Sequence, residues 1–283
     1  MSKVKEYLWI LLLRLSYVLT VFFGKGLSIM LYWFFSRVIH YRRSVIDQNL
    51  LKAGIANLEN VVALRNAYYK QLANYVVESV YGLYATFIKL NFKLRFTNIE
   101  FLESFLAEGR NVIIVASHFG NWEWAVPMLA KVSKFPVVGV YKPISDKALD
   151  AVMLRRRSRF GLIMASMGEV VRHIKTSKGA TAYVLIADQS PAQADPACMA
   201  DFFSIPTYFV SGPQKLSNRF DMVVLNQTIK PVSGGYEVFF TSLDRSKLPE
   251  VYAQSLESDI RRQPAYWLWS HKRWKLNTAP KSL

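Results

Sequence analysis

His118 and Glu123 stand five residues apart in a run that reads Ser117, His118, Phe119, Gly120, Asn121, Trp122, Glu123. On an unbroken helix, that spacing would hold the two side chains about 140° apart. Across a turn at Gly120 they can meet. A carboxylate hydrogen-bonded to one imidazole nitrogen fixes the tautomer and raises the basicity of the other nitrogen, which gives a pair able to take a proton from an alcohol. No serine nucleophile is needed, and the G-x-S-x-G elbow of serine hydrolases is absent. By itself an H-x-x-x-x-E spacing more often marks a satisfied structural histidine and a solvated acid at a helix start. The surroundings decide between the two.

The run sits at a junction. Val112 to Ala116 is a compact β-branched stretch that predicts a strand, and Trp124 to Leu129 is an apolar stretch that predicts a helix. A side chain between them lies at the carboxyl end of a strand, where open α/β sheets place their sites and where helix-start amides face an anion. Comparable apolar runs recur at Val137 to Tyr141, Tyr183 to Ala187, Met222 to Leu225 and Glu237 to Phe240. Helix-length segments such as Asp146 to Phe160 and Glu169 to Lys178 separate several of them. The pattern predicts an α/β fold with a central mixed sheet flanked by helices. Residues 91–283 form its core, and residues 42–90, whose apolar positions Val61, Leu64, Tyr68, Leu72, Tyr75 and Val76 recur at helical spacing, form a helical cover.

Residues 1–41 differ from the rest. Tyr7 to Phe23 is almost wholly apolar apart from Arg14, and Leu27 to Ile39 is a second apolar run followed by Arg42 and Arg43. These runs predict an N-terminal helical membrane anchor, with Trp9, Tyr32 and Trp33 at the interface. A tilted span and a shallow helical hairpin both satisfy the pattern. Arg14 and the lack of a small-x-small site argue against a cleaved signal peptide.

Over the 283 residues, Lys and Arg outnumber Asp and Glu by 36 to 20, a net charge of +16, with 52% hydrophobic and 14% aromatic residues. An anionic partner is implied. No zinc spacing, RNP signature or helix-turn-helix supports nucleic acid, so anionic membrane lipids or an acidic protein are expected instead. Cys198, the single cysteine, lies in a Pro-rich loop and is read as a spectator thiol. No metal ligand set and no cofactor motif appears. His40 and His173 have no paired acid in sequence and are read as structural.

The run His118 to Glu123 behind its strand resembles the active-site block of the bacterial lipid A biosynthesis acyltransferases, a family within the lysophospholipid acyltransferase superfamily. Further blocks agree in order: Arg42, Arg43, Asn49 and Leu50 after the anchor; Glu78 ahead of the sheet; Tyr141, Lys142 and Pro143 with Arg155, Arg156, Arg157 and Gly161; Asp188 and Gln189 followed by Asp201, Phe202, Phe203, Ile205 and Pro206; and the tail Trp269, His271, Lys272, Arg273, Trp274, Lys275. Two departures stand out. Ser204 replaces a Gly usual after the paired phenylalanines, and Pro191 to Pro196 replace a Gly-containing stretch. Placed in a substrate loop, they would bear on the acceptor and acyl length more than on the reaction.

The resemblance implies that His118 acts as general base on an acceptor hydroxyl, with Glu123 supporting it, and that the alkoxide attacks an acyl thioester. The oxyanion would be met by amides near Gly120 and Asn121 or by a guanidinium from Arg155, Arg156 or Arg157, although those arginines would equally suit phospholipid. Asp188 and Gln189 would orient the acceptor, or Asp188 would serve only as a cap. Arg273, with His271, would bind phosphate, although solvated surface charges would look the same. The expected donor is acyl carrier protein and the expected acceptor a phosphorylated glycolipid, a lipid A precursor, at the cytoplasmic face of the inner membrane. An acyltransferase of the same fold acting on a lysophospholipid, an amino-acid lipid or another lipid alcohol is the alternative, and a non-catalytic membrane-tethered polyanion binder is the remote one.

Overall fold

The structure is a computed structural model that describes residues 2–91 and 93–277. In chain order, α1 (Ser2–Trp33) runs through a π-helical turn (Phe34–Val38) to α2 (Arg43–Lys52), α3 (Val61–Gly82) and α4 (Phe87–Asn91). The α/β part then follows as β1 (Leu94–Phe96), α5 (Ile99–Ala107), β2 (Val112–Ala116), α6 (Trp122–Val132), β3 (Val137–Tyr141), α7 (Lys147–Arg157), β4 (Ile163–Ser166), α8 (Val170–Thr176) and β5 (Ala182–Ile186). A hairpin of β6 (Met199–Phe202) and β7 (Ile205–Tyr208), then α9 (Gly212–Phe220), β8 (Val223–Val232), β9 (Gly235–Ser242) and α10 (Leu248–Arg262), completes the described chain.

Seven strands form one mixed sheet in the order β1, β9, β8, β2, β5, β3, β4, with β8 and β9 the antiparallel pair and the other pairings parallel. Every residue of β2 is buried, as expected of a parallel strand covered on both faces. Its side chains alternate. Ile113 and Val115 enter one core with Tyr252 and Leu256 of α10, while Val112, Ile114 and Ala116 enter the other with Leu102, Leu106 and Leu129.

The expected central sheet flanked by helices is the one observed. Two predicted strands match residue for residue, β2 and β3. The predicted strand from Tyr183 begins one residue earlier, and the short apolar runs near 223 and 237 belong to the longer strands β8 and β9. Strands β1, β4, β6 and β7 carried no distinct apolar signal, being only three or four residues long.

The two apolar runs at the N terminus form one helix, interrupted at Phe23 (φ −127°, ψ 20°), and no hairpin. Together with the π turn, Lys3–Val38 is long and apolar enough to cross a membrane. Yet one side of it is held along the body. Ser28 bonds to Asn74 of α3, Tyr17 meets Tyr81 and Tyr84, and Glu6 pairs with Arg155 of α7. The opposite side leaves Leu8, Leu11, Leu15 and Phe22 exposed.

Where α3 crosses α6, Gly82 lets the indole of Trp124 approach so closely that a Cβ would fall 2.0 Å from Nε1. Behind the sheet, α10 sets Asp259 against β8, where Thr228 Oγ1 donates to its carboxylate at 3.2 Å. Burial raises the Asp259 pKa to about 6, with Arg262 and the Thr228 hydroxyl pulling the other way.

A carboxyl group whose folded pKa lies above its unfolded value of about 3.9 holds its proton more tightly when folded, so its contribution to stability declines as pH rises. Between pH ~4 and the folded pKa of about 6, wild-type stability should therefore carry a loss of about 3 kcal/mol. Asp259→Asn should remove that loss, giving a protein about 3 kcal/mol more stable at pH ~8 and flatter across the acid limb. Urea unfolding midpoints across this pH range measure it; a wild-type and a variant that track each other would contradict the assignment.

Candidate functional site

The site is built from the carboxyl ends of two adjacent strands. Parallel pairing of β2 with β5 sets Ala116 opposite Ile186. Two residues past each strand end, His118 and Asp188 therefore come side by side, although 70 residues separate them in the chain. His118 Nδ1 lies 2.7 Å from Asp188 Oδ1. The indole N–H of Trp267 donates to the other carboxylate oxygen, also at 2.7 Å. Asp188 is fully buried. Burial pushes a carboxyl pKa up, but the electrostatic attraction of His118 and the hydrogen bonds from His118 and Trp267 outweigh it and hold Asp188 below the ordinary carboxylate range.

An ionised Asp188 accepts and does not donate, so Nδ1 of His118 carries the proton and Nε2 presents its lone pair. Nε2 faces the Gln189 amide nitrogen at 3.4 Å. Trp122 stands edge-on to the imidazole, with ring centroids 4.8 Å apart, and is itself stacked on Tyr75 at 4.2 Å. These rings leave the histidine one orientation.

The expected partner of His118 was Glu123, and the pairing differs. Glu123 lies in the first turn of α6 and takes Arg157 in a two-bond pair, Nη2 to Oε1 at 2.5 Å and Nε to Oε2 at 3.1 Å. The Gly120 turn explains the separation. Gly120 adopts φ +62°, a conformation a side chain disfavours, and a Cβ there would lie 2.7 Å from Ile229. Its N–H is donated to the Tyr266 carbonyl at 3.1 Å, so that amide is already engaged and does not face an oxyanion. Asn121 is buried and caps α6: its Oδ1 accepts from the Trp124 amide at 3.1 Å and its amide donates to Glu78 at 2.9 Å. Tyr236 donates to the same Glu78 oxygen at 2.8 Å. Burial raises the Glu78 pKa against these two hydrogen bonds.

The three successive arginines of α7 point three ways, as residues about 100° apart on a helix must. Arg155 pairs with Glu6 on α1, Arg156 lies 4.2 Å over the Tyr84 ring, and Arg157 reaches Glu123. Arg273 does not reach open space. Its side chain is buried between Phe209 and Phe202, 4.5 and 5.5 Å from the ring centroids, and Nη1 donates to the Tyr208 carbonyl at 2.9 Å. Burial pushes its pKa down to about 10, with Asp188 and Tyr252 opposing. His271 accepts the Ser190 amide on Nε2 at 3.0 Å, and burial takes its pKa down to about 4, so it stays neutral.

His118, Trp122, Glu123, Arg157 and Gln189 open onto one cavity of about 330 Å³. Val126, Pro127, Leu162, Met164, Val184 and Ile186 line it with apolar surface, and Tyr141 and Lys142 also face it. Proton-accepting and cationic groups thus meet a greasy slot. Ser204 is absent from this lining. It occupies the two-residue turn of the β6–β7 hairpin, where Phe203 and Ser204 both have positive φ (+54° and +57°), a turn that favours glycine. That departure therefore concerns a structural turn, outside this cavity. Cys198 is buried with its pKa raised by burial, unsuited to act as a nucleophile. Among the described residues, no group of three or more His, Cys, Asp or Glu side chains could hold a metal ion.

Trp267 and Trp122 were not anticipated as site residues. Trp267 lies two positions ahead of the tail block that begins at Trp269, and Trp122 lies inside the His118 to Glu123 run, but neither side-chain type signals its contact.

The family model described as bacterial lipid A biosynthesis acyltransferase matches residues 5–276. The chain is similar to the lipid A biosynthesis palmitoleoyltransferase of Escherichia coli (strain K12), 22% identical over 177 residues, 59% of this chain and 57% of that protein. It is similar to the same extent to a lipid A biosynthesis acyltransferase of Shigella flexneri. Both alignments span little more than half the length of those relatives. Through the match that covers nearly all of its length, the chain belongs to the bacterial lipid A biosynthesis acyltransferase family.

Proposed function

We propose that the chain transfers a fatty acyl group from a thioester, carried by acyl carrier protein, to a hydroxyl of a phosphorylated glycolipid of the lipid A precursor class. The observation that carries the reading is the His118–Asp188 pair at the mouth of an apolar cavity. In the proposed step, Nε2 of His118 takes the proton of the acceptor hydroxyl. The oxygen attacks the thioester carbonyl, the tetrahedral intermediate collapses with cleavage of the C–S bond, and the imidazolium returns its proton to the departing thiolate. Asp188 holds the tautomer and balances the imidazolium charge. Arg157, fixed by Glu123 on the cavity wall, is the cation nearest in type to what an oxyanion needs. In this reading Glu123 acts through Arg157, and the slot lined by Leu162 and Met164 takes the acyl chain.

The exposed apolar side of α1 supports seating in the bilayer, with the body of this basic chain, net charge +16 over all 283 residues, on the cytoplasmic side. The same charge suits an acidic carrier protein and a phosphorylated acceptor.

His118→Ala and Asp188→Asn should each keep the fold and lower acyl transfer by about a hundredfold or more, with the double variant little worse than either, because the carboxylate has nothing to orient once the imidazole is gone. Mass-spectrometric detection of acyl transfer from acyl carrier protein thioesters to a panel of lipid acceptors, with circular dichroism as the fold control, reads this. Additive losses, or full turnover by a folded His118→Ala protein, would contradict it.

Glu123→Gln and Arg157→Gln should each cost about ten- to a hundredfold, and the pair together about as much as Arg157→Gln alone. Were Glu123 to act on His118 directly, its loss would add to that of Arg157. Replacing Leu11, Leu15 and Phe22 together by Glu should release the folded chain from membranes, measured by sedimentation in high salt. Quantitative pelleting of that variant would contradict the seating of α1.

A further inference from the structure

Where α1 ends, a second cavity of about 210 Å³ opens, and it is lined by Arg37, His40, Arg43, Arg65 and Asn66 among others. Three guanidiniums converge there. Asp47 binds Arg65 at 2.5 Å and lies 3.9 Å from Arg43, so three guanidiniums against one carboxylate leave a surplus of two positive charges. Arg65 is buried and held by that pair, whereas Arg37 and Arg43 remain exposed. Arg37 is steadied from the other side by the Trp33 ring, 5.5 Å away.

The backbone around this cavity is irregular in a way that costs free energy. A π-helical turn, Phe34–Val38, precedes it, and His40 and Arg42 both hold left-handed conformations, φ +46° and +47°. The turn is nonetheless fixed, by Tyr41 N–H to Phe35 O at 2.9 Å, Arg43 N–H to His40 O at 3.1 Å and the Tyr69 hydroxyl to Tyr41 O at 2.8 Å. Strain retained by a well-bonded turn, with cations gathered on it, fits a preformed binding site.

Its position identifies the ligand. The exposed apolar side of α1 continues through Trp33, Val38 and Ile39 to the edge of this cavity. A helix seated by those residues brings the cavity to the depth of lipid headgroups, where phosphate is the anion presented. The catalytic cavity has its own residues, and none lines both.

We infer that the cavity formed by Arg37, His40, Arg43 and Arg65 is a binding site for the phosphate of a membrane lipid headgroup, separate from the acyl-transfer cavity. The assignment rests on the seating of α1 in a bilayer and makes no use of the proposed acyl-transfer chemistry.

Flotation of the full chain with phosphatidylcholine vesicles, with and without phosphatidic acid, tests it. The wild type, Arg37→Gln/Arg43→Gln and a charge-matched control, Lys175→Gln/Lys178→Gln at and just past the end of α8, should float alike on neutral vesicles. Phosphatidic acid should raise the partition coefficient of the wild type and the control by about tenfold, and that of the pocket variant little. An equal rise in wild type and pocket variant, or an equal loss in pocket and control variants, overturns the site. Failure of all three to float on neutral vesicles overturns the seating of α1 instead. The site is also read apart from vesicles, in neutral detergent micelles. There, dihexanoyl phosphatidic acid should raise the melting temperature of the wild type and not of the pocket variant, and no rise overturns the site. Glycerol 3-phosphate at the same concentration should give no such rise; a rise equal to the lipid's overturns the lipid assignment in favour of a soluble phosphate ester.

Discussion

A carboxylate buried with no exposed surface is the constraint around which this structure is arranged. An isolated Asp188 anion in the core would cost several kcal/mol or would take up a proton. It stays charged because His118 and Trp267 place N–H groups on its two oxygens. Much else follows from keeping those donors in place. The Phe119–Trp267 bridge and the bond from Leu268 N–H to the His118 carbonyl stitch the C-terminal segment to the turn after β2. Asn49 of α2 then donates to the carbonyls of Trp269 and His271, tying the helical cover to the same segment. The tail block and α2 thus act on the site indirectly, by holding Trp267 against Asp188.

A second ion pair divides the labour. Glu123 and Arg157 are each only partly exposed, at 21% and 25% of their side-chain surface, and two parallel bonds give a fork geometry that a lysine could not reproduce. The pair leaves His118 free of Glu123 and presents a guanidinium on the wall of an otherwise apolar slot. Because Arg155 and Arg156 leave α7 toward α1 and the Tyr84 ring, one short helix joins α1 to the cavity wall. A shift of α1 against the body would be felt at Glu123 through about half a turn of α7, from Arg155 to Arg157.

Other charged and polar residues of the motif blocks serve the scaffold. Glu78 receives Asn121 and Tyr236 beneath the His118 turn, so the α6 start, α3 and β9 are locked by one carboxylate. Arg273 spends its charge in an aromatic pocket beside Asp188, where its burial costs are offset by two ring faces and a carbonyl. Residues of the kind that bind phosphate on a surface here stabilise the interior.

The sequence by itself determined the local elements and the chemistry on offer. The β-branched run ending at Ala116, the Gly120 turn and the helix beyond fixed His118 at the carboxyl end of a strand, since those signals act over a few residues. The long apolar N terminus was equally legible from composition. Which carboxylate meets the imidazole was decided by tertiary structure alone. Glu123, five residues away, is carried off on the first turn of α6 toward Arg157, while Asp188 arrives because β5 lies beside β2 with Ala116 opposite Ile186. Strand order in a parallel sheet depends on how distant helices pack over it, and β3 and β4 lie between β2 and β5 in the chain. No spacing along the sequence encodes that adjacency. The fate of the arginines was hidden for a related reason: a guanidinium on a short helix reads the same whether it faces lipid, an aromatic ring or a carboxylate, and only packing chooses among them.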